Sequence, residues 1–254
     1  MTTATLPPPA PADSARRRAV LSRRERIALQ AAHLEDATPR DILAWALDTH
    51  GDRLLATTAL GAGGVLLLHE LHRLAPGHPT YLIDTGKLFD ETLAYRDYLI
   101  AAFGFRIVTV APALDEAALA AQHGETLWET DPDTCCRLRK VEPAAALKRE
   151  HDAWVSALRR DQGGLRATLP AAEVDRDGVV KVYPLINVTR AQIDGQLRDL
   201  GILQHPLHRH GYLSVGCVPC TSPTCGAGGG GDNGERAGRW ASTGKTECGL
   251  HFAT

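Results

Sequence analysis

The chain has 254 residues, 44% of them hydrophobic, which suits one α/β domain with extensions or two small domains. Its formal net charge of -2 gives no overall field that would favour nucleic acid or a membrane surface as a partner. No apolar run is long enough to cross a bilayer, and residues 1–13 lack the basic and apolar regions of a secretory signal, so we expect a cytoplasmic location.

The first fifty residues predict an extension and two helices. Residues 1–20 begin with prolines and then carry three arginines, a composition typical of a disordered N-terminal extension. Residues 21–34 and 41–47 show the spacing of amphipathic helices. Thr38 precedes Pro39, an order that is typical of an N-cap followed by the first residue of a helix.

Strands and helices alternate from residue 53 onward. The predicted strands are 53–59, 81–84, 106–110, 153–158 and 179–182, and the predicted helices are 65–74, 88–103 and 189–200. This alternation predicts an α/β fold with a parallel sheet flanked by helices. We expect one domain over residues 21–225, followed by a flexible glycine-rich loop and a C-terminal tail that together span 226–254.

Two loops that follow neighbouring strands predict a pocket for an anionic ligand. The first is a tight loop from Gly61 to Gly64 before a helix, where backbone N–H groups favour a phosphate, although a plain turn explains it equally well. The second contains Asp84, Thr85 and Gly86. Ligands of parallel sheets bind where the strands end, so we expect Asp84 to contact ribose or adenine, or to cap the next helix.

Four cysteines form two close pairs. Cys135 and Cys136 are adjacent, and Cys217 and Cys220 form a CxxC motif. Cytosolic thiols stay reduced, so these pairs indicate metal ligands more than disulfides or buried structural thiols. Both zinc and an iron–sulfur cluster accept four thiolates, and adjacent cysteines favour the cluster.

A fifth cysteine, Cys248, lies on the predicted tail, where a core residue is not expected. Lys245 and His251 are close enough in sequence to stabilise its thiolate, which predicts a nucleophile, and an ordinary surface cysteine is the alternative. The sixth, Cys225, is assigned no role. Basic residues near these motifs suit a doubly charged oxyanion if they meet in one pocket, although each alone is more often solvated: Lys140, Arg159, Arg160, Arg236 and Arg239.

From about residue 40 to its end the chain resembles the assimilatory adenylyl-sulfate and phosphoadenylyl-sulfate reductases. The segments that carry the resemblance include IDTG at 83–86, CCRLRKVEP at 135–143, GCVPCT at 216–221 and KTECGLH at 245–251, of which the last is the most specific. The resemblance implies a fold like the adenine-nucleotide α-hydrolases, also called N-type ATP pyrophosphatases, with a mobile C-terminal tail.

The resemblance also implies a reaction, thioredoxin-dependent reduction of adenylyl sulfate to sulfite and AMP in sulfate assimilation and cysteine biosynthesis. Cys248 would be the nucleophile that carries an S-sulfonate, and thioredoxin or glutaredoxin would release sulfite. A [4Fe-4S] cluster would be held by Cys135, Cys136, Cys217 and Cys220. Lys245 and His251 would support the nucleophile. The two loops and the basic residues described above supply the expected substrate contacts: Gly61, Asp84, Thr85, Gly86, Lys140, Arg159, Arg160, Arg236 and Arg239.

The first loop departs from the family pattern. Ala59, Gly63 and Gly64 stand where the family usually carries a serine and then a polar or acidic residue. Two alternatives to the adenylyl-sulfate reductase stay open at this point: a reductase that prefers phosphoadenylyl sulfate, and a zinc-stabilised nucleotide-binding module without catalysis. The sequence leaves the oligomeric state undecided, and a homo-oligomer is among the options.

Overall fold

The computed structural model describes residues 21–224, 234–241, 245 and 247–251. The predicted N-terminal extension, residues 1–20, lies outside the described residues, as do Cys225 and the glycine-rich stretch 226–231. The proposed division into a domain ending at residue 225 and a mobile tail therefore stays a prediction.

Helices and strands alternate through the described part of the chain. The helices are α1 (Arg23–Leu34), α2 (Pro39–His50), α3 (Ala62–Leu74), α4 (Asp90–Phe103), α5 (Glu116–His123), α6 (Leu127–Thr130), α7 (Pro132–Cys136), α8 (Glu142–Arg149) and α9 (Arg190–Asp199). The strands are β1 (Leu54–Thr58), β2 (Thr80–Ile83), β3 (Ile107–Val110), β4 (Ala153–Val155), β5 (Ala172–Val174) and β6 (Val180–Val182). A π-helical turn, Arg137–Val141, joins α7 to α8.

Within the described residues the strands form one six-stranded sheet in the order β3-β2-β1-β4-β6-β5. Every neighbouring pair is parallel except β5 and β6, which are antiparallel. The predicted parallel sheet is therefore confirmed, with an antiparallel edge strand that the sequence did not reveal. Because β5 has only three residues, it is too short to show an alternating pattern.

The apolar faces of the sheet and helices form one large core. Leu43 of α2, Leu54 of β1, Val65 of α3 and Leu99 of α4 are each at most 1% exposed within it. Burial of apolar surface on this scale is the main force that holds such a domain together. Among the described residues no helix combines the length and apolar character needed to span a membrane.

Local sequence explains where several helices begin. The Thr38 side chain accepts a hydrogen bond from the Asp41 N–H, which confirms the predicted N-cap of α2, and Pro39 is the first helical residue. Ser22 and Thr189 form capping boxes at the starts of α1 and α9. These caps satisfy backbone donors that the helices themselves leave without acceptors.

The first glycine-rich loop is shorter than predicted. Gly61 is the N-cap of α3, so Gly63 and Gly64 belong to the first helical turn instead of a loop. A Cβ atom at Gly64 would lie 2.6 Å from Thr58 Oγ1, which explains why glycine is required where the helix approaches β1. The turn itself is made by Leu60, a buried residue with φ of 56°.

Candidate active site

Two cavities adjoin each other at the carboxyl ends of the parallel strands. The larger is lined by residues that end or follow β1, β2 and β4, among them Thr58, Ile83 and Ser156. The smaller is lined by the two cysteine pairs. The two cavities share four wall residues: Lys140, Arg239, Trp240 and Cys248. The cysteines therefore lie beside the edge of the sheet at which a parallel sheet is expected to bind its ligand.

The start of α3 gives the larger cavity an anion-binding edge. Gly61, Ala62, Gly63 and Gly64 all line it, and the first N–H groups of a helix have no acceptor within the helix. The Arg159 side chain lies beside this turn, since a Cβ atom on Gly63 would be 3.3 Å from Arg159 Nη1. A helix N-terminus and a guanidinium thus face the same space, which suits a phosphate group.

Further arginines of the larger cavity pair with two carboxylates from the chain beyond residue 233. Glu235 accepts from Arg159 Nη2 at 3.0 Å and from Arg190 Nη1 at 3.1 Å. Glu247 lies 2.6 Å from Arg166 Nη2 and 3.3 Å from Arg236 Nη2. The contacts with Arg159, Arg166 and Arg190 hold the C-terminal residues against the turns that follow β4 and against α9.

Burial shifts the ionisation of these groups. It lowers the pKa of Arg166 to about 10, and the nearby Arg236 charge acts in the same direction. Burial by itself would raise the pKa of Glu235, but Arg159, Gln162 and Arg190 together hold it below its ordinary value. Around neutral pH Arg166 therefore stays cationic and Glu235 stays anionic, so the ion pairs that they form persist.

The smaller cavity brings all four paired cysteines to one place. Cys135 is buried, and Cys136, Cys217 and Cys220 are partly buried. Thr85 Oγ1 lies 3.2 Å from Cys217 Sγ, and the buried Arg139 donates to the Thr85 carbonyl at 3.0 Å. The two cysteine pairs, which are at least 81 residues apart in the sequence, therefore meet at one cavity.

The cysteines shift one another's ionisation. Burial raises the pKa of Cys135, of Cys220 and of Cys136, the last to about 12, and neighbouring thiols add to each rise. A group of buried thiols is therefore unfavourable as free thiolates and favours a bound cation.

The residues around the smaller cavity suit an iron–sulfur cluster in their chemistry. The donor chemistry fits, because four sulfur atoms wall one cavity together with the cationic side chains Arg139, Lys140 and Arg239. Arg139 Nε and Arg239 Nε are buried and have no hydrogen-bond acceptor within the described part of the chain. Among the described residues, however, no three His, Cys, Asp or Glu side chains converge closely enough to hold a single metal ion as they stand.

Cys248 lies at the boundary between the cavities, and its sequence neighbours are anchored on the sheet. The His251 ring stacks on Trp154 at 4.7 Å, and the His251 carbonyl accepts from Lys181 at 2.7 Å. Burial lowers the pKa of His251 well below its ordinary value, so the ring is neutral near pH 7. Lys245 pairs with Asp133, next to the first cysteine pair.

The structure distributes the predicted substrate residues over three places. Lys140, Arg159, Arg236 and Arg239 line the larger cavity with Gly61. Asp84 and Gly86 form a turn, in which the Asp84 carboxylate accepts the Gly86 N–H at 2.9 Å. This turn carries Thr85 to the cysteines instead of to the larger cavity.

Arg160 lies apart from both cavities. Its guanidinium donates to the Leu169 carbonyl at 2.6 Å and pairs with Glu35. Arg159 has an extended backbone, and neighbouring side chains of an extended segment point to opposite sides. Arg159 therefore faces the larger cavity, and Arg160 faces away from it.

Several site residues received no role from the sequence. Glu235 and Glu247 fall within or beside the segments that carry the family resemblance, and the position of Glu247 directly before Cys248 was a usable signal. Arg166 and Arg190 belong to no motif, so only the folded chain brings them to the cavity.

Comparison with known proteins gives a consistent result. Residues 53–223 match the family described as the phosphoadenosine phosphosulfate reductase domain. The adenosine 5'-phosphosulfate reductase of Streptomyces coelicolor is 38% identical over 221 residues, covering 86% of this chain and 90% of that protein. The phosphoadenosine 5'-phosphosulfate reductase of Gloeobacter violaceus is 37% identical, covering 85% of this chain and 90% of that protein.

Solved structures agree with the fold. A phosphoadenylyl-sulfate reductase from Candida auris, crystallised as a phosphate complex, superimposes with a TM-score of 0.70 at 29% identity and covers 80% of this chain and 98% of that one. An FMN adenylyltransferase from Candida glabrata, at 16% identity, has a TM-score of 0.53 and covers 82% of this chain and 68% of that one. These matches confirm the predicted fold class, a sheet flanked by helices of the adenine-nucleotide α-hydrolase kind.

Proposed function

The chain belongs to the phosphoadenosine phosphosulfate reductase domain family, and from this premise we propose that it reduces adenylyl sulfate to sulfite and AMP. The resemblance drawn from the sequence is thereby confirmed at the level of the family. One observation carries the proposal. Cys248 lies in the wall between an arginine-lined cavity at the ends of the strands and a cavity lined by four cysteines.

The larger cavity supplies groups for an adenylyl sulfate molecule. The N-terminal turn of α3 and Arg159 would bind the phosphate, since backbone donors and a guanidinium meet there. Arg236, Arg239 and Lys140 lie on the side of Cys248 and would bind the sulfate oxygens. The cations would also stabilise the charge that develops on the leaving phosphate.

In the first step the Cys248 thiolate attacks the sulfur atom of the substrate. A bond forms between Cys248 Sγ and this sulfur, and the bond from the sulfur to the bridging oxygen breaks. The electron pair leaves with that oxygen, so AMP departs and Cys248 carries an S-sulfonate. The tail position of Cys248 suits this role, because the nucleophile faces the cavity from a segment outside the sheet.

In the second step a dithiol protein, thioredoxin or glutaredoxin, regenerates the enzyme. Its thiolate attacks Cys248 Sγ, a mixed disulfide forms, and sulfite leaves with the electron pair of the broken S–S bond. The second thiol of the partner then attacks the mixed disulfide and returns Cys248 as a thiolate. The partner is oxidised to a disulfide, and the sulfur of the substrate is reduced by two electrons.

We also propose that Cys135, Cys136, Cys217 and Cys220 hold a [4Fe-4S] cluster. When bound, such a cluster would organise the sulfur ligands and place charge close to the sulfate of the substrate. Lys140 and Arg239 wall both cavities and would offset the negative charge of four thiolates while facing the substrate. Thr85, at 3.2 Å from Cys217 Sγ, would fix the orientation of that ligand.

A second candidate substrate is phosphoadenylyl sulfate. The Gloeobacter violaceus relative carries the corresponding name at 37% identity, similar to the 38% of the relative from Streptomyces coelicolor. The two cysteine pairs favour adenylyl sulfate on the family resemblance. A non-catalytic zinc module is disfavoured, since the chain belongs to a reductase family and Cys248 lies at the cavity.

A single-turnover experiment tests the chemistry. Anaerobically purified protein is mixed with sulfur-labelled adenylyl sulfate in the absence of any thiol, and the labelled peptide is identified by mass spectrometry. We expect one label on the peptide that contains Cys248, and addition of reduced thioredoxin should release it as sulfite. Formation of sulfite without a labelled Cys248 would contradict the proposed intermediate.

A further inference from the structure

Glu247, the residue directly before the proposed nucleophile, joins two guanidinium groups from different parts of the chain. Arg166 Nη2 lies 2.6 Å from Glu247 Oε1 and 2.8 Å from Oε2, and Arg236 Nη2 lies 3.3 Å from Oε2. The Arg166 and Glu247 side chains are 4% and 14% exposed. The carboxylate is therefore an internal link of the site and not a solvated surface group.

From this geometry we propose that Glu247 is the positioning residue that docks Cys248 at the wall between the two cavities. The inference rests on the proposed function for its catalytic consequence. The docking itself is a property of the contacts, because consecutive Cα atoms are only about 3.8 Å apart and a fixed Glu247 restricts Cys248 directly.

The core partner of Glu247 is itself well fixed. Arg166 ends a short 3-10 turn, Gly164–Arg166, whose backbone is closed by the hydrogen bond from Arg166 N to the Gly163 carbonyl. Burial of the Arg166 side chain leaves few alternative rotamers for the guanidinium. Glu247 thus binds to a stationary point on the core, while Arg236 joins it to the preceding part of the C-terminal segment.

Other anchors do not replace Glu247. Glu235 binds Arg159, Arg190 and Gln162, but it precedes Cys248 by thirteen residues and fixes only the beginning of the described C-terminal segment. On the other side of the nucleophile, His251 is held by Trp154 through ring stacking. Lys245, three residues before the nucleophile, pairs with Asp133, and among the described residues Glu247 makes the charged contact directly adjacent to Cys248. Loss of the Glu247 contact should therefore loosen the nucleophile more than the rest of the fold.

The two proposed steps place opposite demands on this contact. Attack on the substrate needs Cys248 inside the cavity, where Glu247 holds it. Attack by a dithiol protein needs Cys248 Sγ to be reached from outside, and the same contact opposes this. Removing the carboxylate charge should therefore slow formation of the S-sulfonate and leave its release by thioredoxin unchanged or faster. A residue needed only for folding would slow both steps or neither.

The test compares Glu247→Gln, Glu247→Asp and a charge-matched surface control, Glu129→Gln, in the full chain. Each protein without substrate is alkylated with iodoacetamide over a range of pH, and the peptide that contains Cys248 is quantified by mass spectrometry. Rates are compared on the high-pH plateau, where the thiol is fully ionised, so that a change in ionisation cannot imitate exposure. Circular dichroism and iron content confirm an intact fold.

We expect alkylation of Cys248 to be about tenfold faster in Glu247→Gln, which corresponds to ~1.4 kcal/mol of lost docking free energy, and intermediate in Glu247→Asp. Glu129→Gln should match the unmodified protein. Equal plateau rates for Glu247→Gln and the unmodified protein would overturn the proposal. Because this measurement uses no substrate, it remains decisive even if the chain fails to turn over adenylyl sulfate.

Single-turnover kinetics complete the test. We expect S-sulfonate formation to slow about tenfold in Glu247→Gln. The maximal rate should fall more than the half-saturating substrate concentration rises. Release of sulfite by thioredoxin should not be slowed. Faster alkylation with an unchanged rate of S-sulfonate formation would show that docking does not position the nucleophile, and it would overturn the catalytic part of the proposal.

Discussion

The sheet core and the C-terminal segment of this chain are held by different interactions. In the core, Leu43, Leu55 and Leu99 are fully buried among other apolar side chains. The described C-terminal residues, 234–241, 245 and 247–251, are held by charge as well as by packing, with Glu235 and Glu247 each bound to two arginines. Their ring and apolar contacts include the buried Trp240, the stacking of His251 on Trp154, and Leu250 against the cluster of Leu55, Trp154 and Val179.

Because of this difference, the stability of the fold and the chemistry of the site depend on different parts of the molecule. Apolar burial is strong and non-directional, so it specifies the scaffold and tolerates changes in solvent ions. Ion pairs between partly buried groups are directional, and each contributes a modest free energy. Another anion can also replace the carboxylate of such a pair. A segment that must both deliver a nucleophile and release it to a protein partner is better held by the second kind of interaction.

The strongest test of this separation removes the nucleophile. Cys248→Ser should reduce sulfite formation by about a thousandfold or more, because no thiolate remains to form the S-sulfonate. Iron content and the midpoint of urea unfolding should stay unchanged, since Cys248 lies outside the apolar core. Sulfite production at the normal rate would show that the nucleophile is another group.

A change in the other cavity should affect the cofactor and the activity together. Cys136→Ser removes one of four sulfur ligands, and we expect loss of bound iron and of sulfite formation, measured by iron analysis and turnover. Cys248→Ser is the matched control, as it also removes a thiol from the wall of this cavity. Full activity without iron would refute the role assigned to the cysteine pairs.

A substitution in the apolar core should lower stability and leave turnover nearly unchanged. Leu43 in α2 is 0% exposed and lines neither cavity, so Leu43→Ala should lower the free energy of unfolding by about 2–5 kcal/mol through lost burial and a cavity. Turnover per folded molecule should stay within about twofold of normal. The control is Leu29→Ala, where the side chain is 54% exposed, with an expected change below about 0.5 kcal/mol. Similar losses of stability from both variants would contradict the apolar account of the core.

The smallest expected effect concerns salt. The screening length falls from about 10 Å at 0.1 M to about 3 Å at 1 M ionic strength, and partly buried pairs respond weakly. We therefore expect alkylation of Cys248 to rise about twofold over this range of sodium chloride concentration. In Glu247→Gln the rise should be smaller, because one of the screened interactions is already absent. A salt response that is equal in both proteins would argue against electrostatic docking.

Sequence reasoning succeeded where a residue type or a period carries the information. The 3.6-residue spacing of α2, the apolar run of β1 and the paired cysteines are local patterns, and each can be recognised without the fold. Gly63 and Gly64 misled the prediction, because glycine usually marks a loop, whereas here it allows α3 to approach Thr58 closely.

The sequence contains no local pattern that predicts the ion pairs of the site. Arg166 and Glu247 are 81 residues apart, and although Glu247 directly precedes Cys248, nothing in the sequence indicates that these two side chains pair. Arg160 shows the converse error, since a basic residue next to Arg159 looked equally suited to the substrate. The alternation of an extended backbone turns it toward Glu35 instead. Pairings of this kind depend on the tertiary fold and become visible only with it.

The central claim is tested most directly by turnover on two substrates. Sulfite release should be measured on anaerobically purified protein with reduced thioredoxin, using adenylyl sulfate and phosphoadenylyl sulfate at equal concentrations. We expect sulfite from adenylyl sulfate at the higher kcat/KM. A preference for phosphoadenylyl sulfate would contradict the proposed substrate, and the absence of sulfite from both, with iron bound, would contradict the proposed reaction.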